Sequence, residues 1–145
     1  MELITDRTQA DVNRVKELAA KGKTGTWTAA ERAEWLAGMK GAYNYTDFNR
    51  VERAVAEIAA ILGVYVETVT TWSATDLPTE ADTARYLANV RRLKTVCQGL
   101  SSTPNAPESM RRFTYVEANA IEKVLTDIEI VIYSWTRCGE VYCGE

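Results

Sequence analysis

Apolar side chains recur at alternating intervals of three and four over Phe48, Val51, Val55, Ile58 and Leu62. The same alternation runs through Ala118, Ile121, Leu125, Ile128, Ile132 and Trp135, and the two series differ by 70 residues at every matching position. A stripe of this period belongs to helices that lie side by side in a bundle. A looser stripe, Ala84, Leu87, Val90, Leu93 and Cys97, marks another helix. The fold class expected from these patterns is all-α.

Local chemistry places the helix starts. Five times a Thr or Asn is followed three residues on by an acid: Thr8 and Asp11, Thr28 and Glu31, Asn44 and Asp47, Thr79 and Asp82, Thr114 and Glu117. Such a pair satisfies the free N–H groups of a first turn and sets a negative charge at the positive end of the helix dipole. Gly22, Gly41, Gly63 and Gly99 stand where left-handed caps would end the first four helices. The pattern predicts helices near 8–21, 28–40, 44–62, 79–98 and 114–135. They form one helical domain over 1–136, with an extended or flexible tail over 137–145.

Two segments break the pattern. VYVETVTTW, residues 64–72, is rich in β-branched and aromatic residues and suits an extended strand. Its one candidate partner is EVYC at 140–143, which would give a minor two-stranded element. LSSTPNAPESM, residues 100–110, contains two prolines and reads as a loop. The repeated helix start admits a duplicated helical hairpin, or convergence on good caps and heptads.

Composition excludes much chemistry. The chain has no histidine, so neither Ser-His-Asp nor Cys-His nucleophiles can be assembled, and most zinc sites are ruled out. Cys97, Cys138 and Cys143 are expected as reduced thiols. With 17 basic and 20 acidic residues, net charge −3, a dedicated nucleic-acid or membrane-surface binder is not expected. The longest apolar run, Ile58 to Val66, is short of the roughly 20 residues a spanning helix needs. The opening residues are charged early and lack an apolar signal core, so secretion by a signal peptide is not expected. No catalytic, cofactor-binding or metal-ligating residue is expected.

The remaining motifs resolve mostly into structural roles. Gly22-Lys23-Thr24 lacks the preceding glycine of a phosphate loop, because Glu17 occupies that position. Arg91, Arg92 and Lys94 read as a solvated helix face rather than a nucleic-acid stripe. Carboxylate pairs such as Glu31 and Glu34 are indistinguishable from surface charge. Trp27, Trp35, Trp72 and Trp135 read as core or interface anchors. Asn13, Asn49 and Asn119 each lie five residues after a cap, beside the apolar seam. Asparagine is a poor mid-helix residue, so each is expected either to fix a neighbouring backbone or to bind a partner. IEIVIYSW, residues 128–135, is apolar nearly all round, so Ile130, Tyr133 and Trp135 are candidate partner contacts.

The runs ITDRTQADVNRVKELAAKG, WTAAERAEWLAGMKGAYNYTDFNRVERAV, ATDLPTEADTARYLANVRRL, FTYVEANAIEKVLTDI and RCGEVYCGE occur in this order over nearly the whole chain. Together they resemble a family of small, uncharacterised proteins and modules encoded in prophage structural regions of Gram-positive, mostly gut, bacteria. The resemblance implies a phage-associated, tail-related structural protein, and it carries over no catalytic residue. The expected function is therefore non-enzymatic assembly through contacts with other phage structural proteins or through self-association. The expected location is the bacterial cytoplasm during assembly, or the phage particle. Two other classes stay open: a small helical regulatory or nucleic-acid-binding protein, and a small-molecule binder in the bundle core.

Overall fold

The structure is a computed structural model that describes the backbone of residues 2–142 and side chains as far as Trp135. It contains five helices: α1 (Gln9–Thr24), α2 (Ala29–Ala37), α3 (Tyr45–Leu62), α4 (Glu80–Cys97) and α5 (Tyr115–Tyr142). The all-α class is as the sequence predicts, and no strand occurs among the described residues.

The start signals act as expected. Thr8, Thr28, Asn44 and Thr79 each accept an N–H of the first turn, while the acid three residues on bonds back to the cap N–H. At α5 the Glu117 carboxylate accepts the Thr114 N–H at 2.8 Å. The stops differ. Gly22 lies inside α1, which runs on to a left-handed Gly25, φ 68°. A Cβ at Gly22 would sit 2.5 Å from the Trp27 ring, so this glycine makes room for an indole rather than ending a helix. α2 ends at Ala37 with Gly38 as its cap, three residues short of the expected limit. Gly63 caps α3 as predicted, whereas Gln98 takes the cap of α4.

α3, α4 and α5 form the core and all touch one another. Val51, Val55 and Ile58 meet Leu87, Val90 and Leu93 and, from α5, Ile121, Leu125 and Ile128. Each is at most 2% exposed. Two stripe positions depart from expectation. Ala84 is exposed, and Tyr86 faces inward in its place. Trp135 is 54% exposed, because α5 has by then run past the ends of its neighbours.

The three core helices run in the same direction. Near their starts Phe48 stacks on Tyr86, and Arg111, just before α5, bonds Glu80 at the start of α4. Farther along, Lys94 of α4 bonds the Thr103 carbonyl, and the Thr103 hydroxyl bonds Asp127 of α5. Parallel neighbours need long returns. Residues 64–78 return between α3 and α4, and 100–113 return between α4 and α5.

This explains the strand-like composition of 64–72. Val64 and Val66 pack on the core while Tyr65 and Glu67 face solvent, so the period-two pattern is real. The segment nevertheless pairs with helix side chains rather than with a strand. Its proposed partner region is taken up by α5, whose backbone is helical through Tyr142 where an extended tail was expected. Residues 143–145 lie outside the described residues.

α1 and α2 form a flanking hairpin. Arg14 bonds Glu34 at 3.0 and 2.7 Å, and Lys21 pairs with Glu31. Trp27 stacks against Trp35 and donates its indole N–H to the Leu18 carbonyl at 2.6 Å.

Candidate interaction surface

The polar groups of the bundle interior are turned on the chain's own backbone. Asn49 donates to the Trp72 carbonyl and accepts the Trp72 N–H, both at 2.8 Å. Three residues on, Glu52 accepts the Val69 N–H at 3.0 Å. Asn119 repeats this on α5, donating to the Arg7 carbonyl at 2.9 Å and accepting the Arg7 N–H at 3.0 Å. Glu122 then accepts the Ile4 N–H at 2.6 Å. Each Asn and Glu pair, one helical turn apart, thus holds an extended segment against its helix. Asn13 does not share this role: it is exposed and accepts a bond from Gln9 at 2.9 Å.

Both glutamates are also ion-paired. Glu52 receives two bonds from Arg85, at 2.8 and 2.7 Å. Glu122 receives two from Arg50, at 3.0 and 2.7 Å, and one from Arg7 at 2.7 Å. Arg7 is 3% exposed and also bonds Asp47 at 2.8 Å and the carbonyls of Lys40 and Ile4. Arg7 and Arg50 thus balance Asp47 and Glu122, as Arg85 balances Glu52, with the hydrogen bonding that a buried ion pair requires. Sequence reasoning did not single out Glu52 or Glu122. The signal was an Asn with Glu three residues later, present at 49 and 119 and absent at 13.

Arg91 and Lys94 of α4 are engaged rather than merely solvated, while Arg92 is exposed as expected. Arg91 bonds the Pro107 carbonyl at 2.8 Å, and Lys94 bonds the Pro104 carbonyl at 2.8 Å and the Asn105 side chain at 2.7 Å. The Tyr43 and Tyr86 hydroxyls bond each other inside an aromatic cluster with Phe48 and Phe113. Burial pushes both hydroxyls above the usual tyrosine range.

A cleft of about 550 Å³ opens between α1 and the start of α5. Val12, Tyr43, Phe113 and Tyr115 are among its walls, and Lys16 stands at its edge. The Arg7 donors at this cleft are already taken by internal bonds, and no carboxylate or thiol lines it. Cys97 is buried in the core. Cys138 and Cys143 fall outside the described side chains. No group of His, Cys, Asp and Glu that could hold a metal occurs among the described residues. The same residues contain no helix long and apolar enough to cross a membrane.

Most of the exposed large apolar side chains gather at one end of the bundle. Ile61 (65% exposed) and Tyr65 (78%) lie at the end of α3, and Val96 and Leu100 at the end of α4. Beside them α5 presents Ile130, Tyr133 and Trp135 at 47%, 61% and 54%. Comparison of the chain with protein-family models, curated proteins and solved structures gives no match. The surface must therefore be read from its own physics. Exposed apolar area gathered in one place marks a contact region more often than it marks chemistry.

Of the six residues expected to matter, two hold backbone, one is a surface residue, and three belong to this apolar end. Asn49 and Asn119 lie lower in the bundle and are not part of it.

Proposed function

We propose that this chain is a non-enzymatic assembly component of a phage or prophage particle, working through protein–protein contacts. The apolar end formed by α3, α4 and α5 carries this reading, with Ile130, Tyr133 and Trp135 on its projecting helix. Two further points support it. The buried acids and arginines are consumed by internal bonds, which leaves a rigid body rather than a reactive centre. The sequence resemblance to prophage structural-region proteins supplies the particle context. Engagement of Arg91 and Lys94 by loop carbonyls weighs against the nucleic-acid-binding alternative, since those cations are not free to meet phosphates.

The test is to follow the chain during induction of a lysogen that encodes it. Particles purified on a density gradient are expected to contain the chain, or an assembly intermediate is expected to retain it. Absence of the chain from every particle fraction and intermediate would overturn the reading, as would turnover of a substrate by the purified protein.

A further inference from the structure

α5 is 28 residues long, against 18 each for α3 and α4. Ile132, 8% exposed, is the last buried residue of α5 among the described side chains, and Tyr133, Ser134 and Trp135 after it are exposed. Residues 133–142 of α5 therefore project beyond the bundle by roughly 15 Å of helix, at 1.5 Å per residue. The surface around the root of this projection is apolar and nearly without charge. Residues 58–66 and 95–107 contain no charged side chain, and α5 from 128 onward carries Glu129, Arg137 and Glu140.

We propose that this end of the molecule binds a second copy of the same chain as a two-fold dimer. This rests on the assembly reading above and names its partner. The end carries both halves of a contact: a projecting helix, and exposed apolar residues at the ends of α3 and α4 that can seat it. A two-fold axis lays the projection of each copy across the seat of the other, so each covers what the other exposes. The exposed apolar residues of this end present on the order of 800 Å², about the share one partner gives to a standard interface. The seat's lack of charge also favours a like partner. Identical copies bring identical charges together, and the seat has none to repel, while Arg137 and Glu140 on the projection leave it without net charge. Interface cores are depleted in charge in the same way.

The mass of the full chain in solution, followed from low micromolar to near-millimolar concentration by light scattering after size exclusion, tests this. A rise from 16.2 kDa to twice that value is expected. Trp135→Glu on the projection and Ile61→Glu on the seat should each weaken dimerisation by at least about tenfold. Both positions are exposed, so helical content and the melting transition should be kept. Leu36→Glu, on an exposed residue of α2, should leave the dimer intact. A mass fixed at the monomer value overturns the proposal, as does a dimer indifferent to both end substitutions. A monomer that still enters particles sinks the dimer and leaves the assembly reading standing. A dimer that never associates with particles does the reverse.

Discussion

Asn49 and Asn119 occupy matching positions on α3 and α5, and each bonds both the N–H and the carbonyl of a single distant residue, Trp72 and Arg7 respectively. An asparagine side chain carries one donor group and one acceptor in the spacing of a peptide group. It therefore stands in for the edge of a strand that the fold does not have. Replacing Asn119 by Ala leaves the Arg7 peptide groups unpaired and should cost about 1–3 kcal/mol of unfolding free energy in denaturant titration. Asn49→Ala should behave alike. Asn13→Ala, with only a surface bond to Gln9 at stake, should stay within about 0.5 kcal/mol.

Glu52 is 1% exposed and holds both Arg85 and the Val69 N–H. Glu52→Gln removes the charge that Arg85 pairs with and should cost about 3 kcal/mol, the lower end for breaking a buried pair because Arg85 is partly open to solvent and also bonds the Glu67 carbonyl. A double-mutant cycle with Arg85→Met should return a favourable coupling energy. Independence of the two substitutions would show that the pair does not hold the 64–72 return.

Gly41 approaches α1 so closely that an added Cβ would lie 2.3 Å from the Asp11 carbonyl carbon and oxygen. These are backbone atoms and cannot swing aside. Gly41→Ala should therefore destabilise by about 1–3 kcal/mol in thermal or denaturant unfolding, as overpacking does.

The Tyr43 and Tyr86 hydroxyls are pushed up by burial. A raised native pKa means that the folded state favours the neutral phenol. That contribution is whole below the unfolded value of about 10 and is lost as pH rises through the native values. Ultraviolet absorbance should show two of the seven tyrosines resisting ionisation until the fold opens, with unfolding and their titration coinciding. Tyrosines that all titrate together near their ordinary value, with the fold intact, would contradict the buried pair.

The helix-start acids should make the protein less stable in acid. The Thr8 hydroxyl, and likewise those of Thr79 and Thr114, holds its acid, Asp11, Asp82 or Glu117, below the usual carboxylate range. For lowered values the contribution is present above the unfolded pKa of about 4 and is lost as pH falls through the native values. The denaturation midpoint should accordingly drop below about pH 4. Thr79→Ala should flatten that drop.

Much of the secondary structure is legible in local sequence. Caps at Thr8, Thr28, Asn44, Thr79 and Thr114 work over three residues, and the three-four apolar alternation states which face of α3 and α5 is buried. Both are short-range facts, so the chain displays them without knowing its neighbours. α1 ends three residues beyond the stop its glycine predicts, because Gly22 answers to Trp27 packing, not to backbone conformation. The composition of 64–72 reports an extended, half-buried backbone and says nothing of what that backbone bonds to.

Sequence by itself thus determined the helical class, most helix starts and the two principal seams. Only the tertiary structure decided that α3, α4 and α5 run parallel, that extended returns fill their grooves, and that Asn49, Glu52, Asn119 and Glu122 hold those returns. The physical reason is that periodicity fixes a buried face but not the element that covers it. A side-chain bond to a backbone 23 or 112 residues away exists only once packing has brought the two together. The apolar end is decided the same way: Ile61, Val96 and Ile130 look like ordinary helix residues until α3 and α4 end beside α5 and α5 goes on.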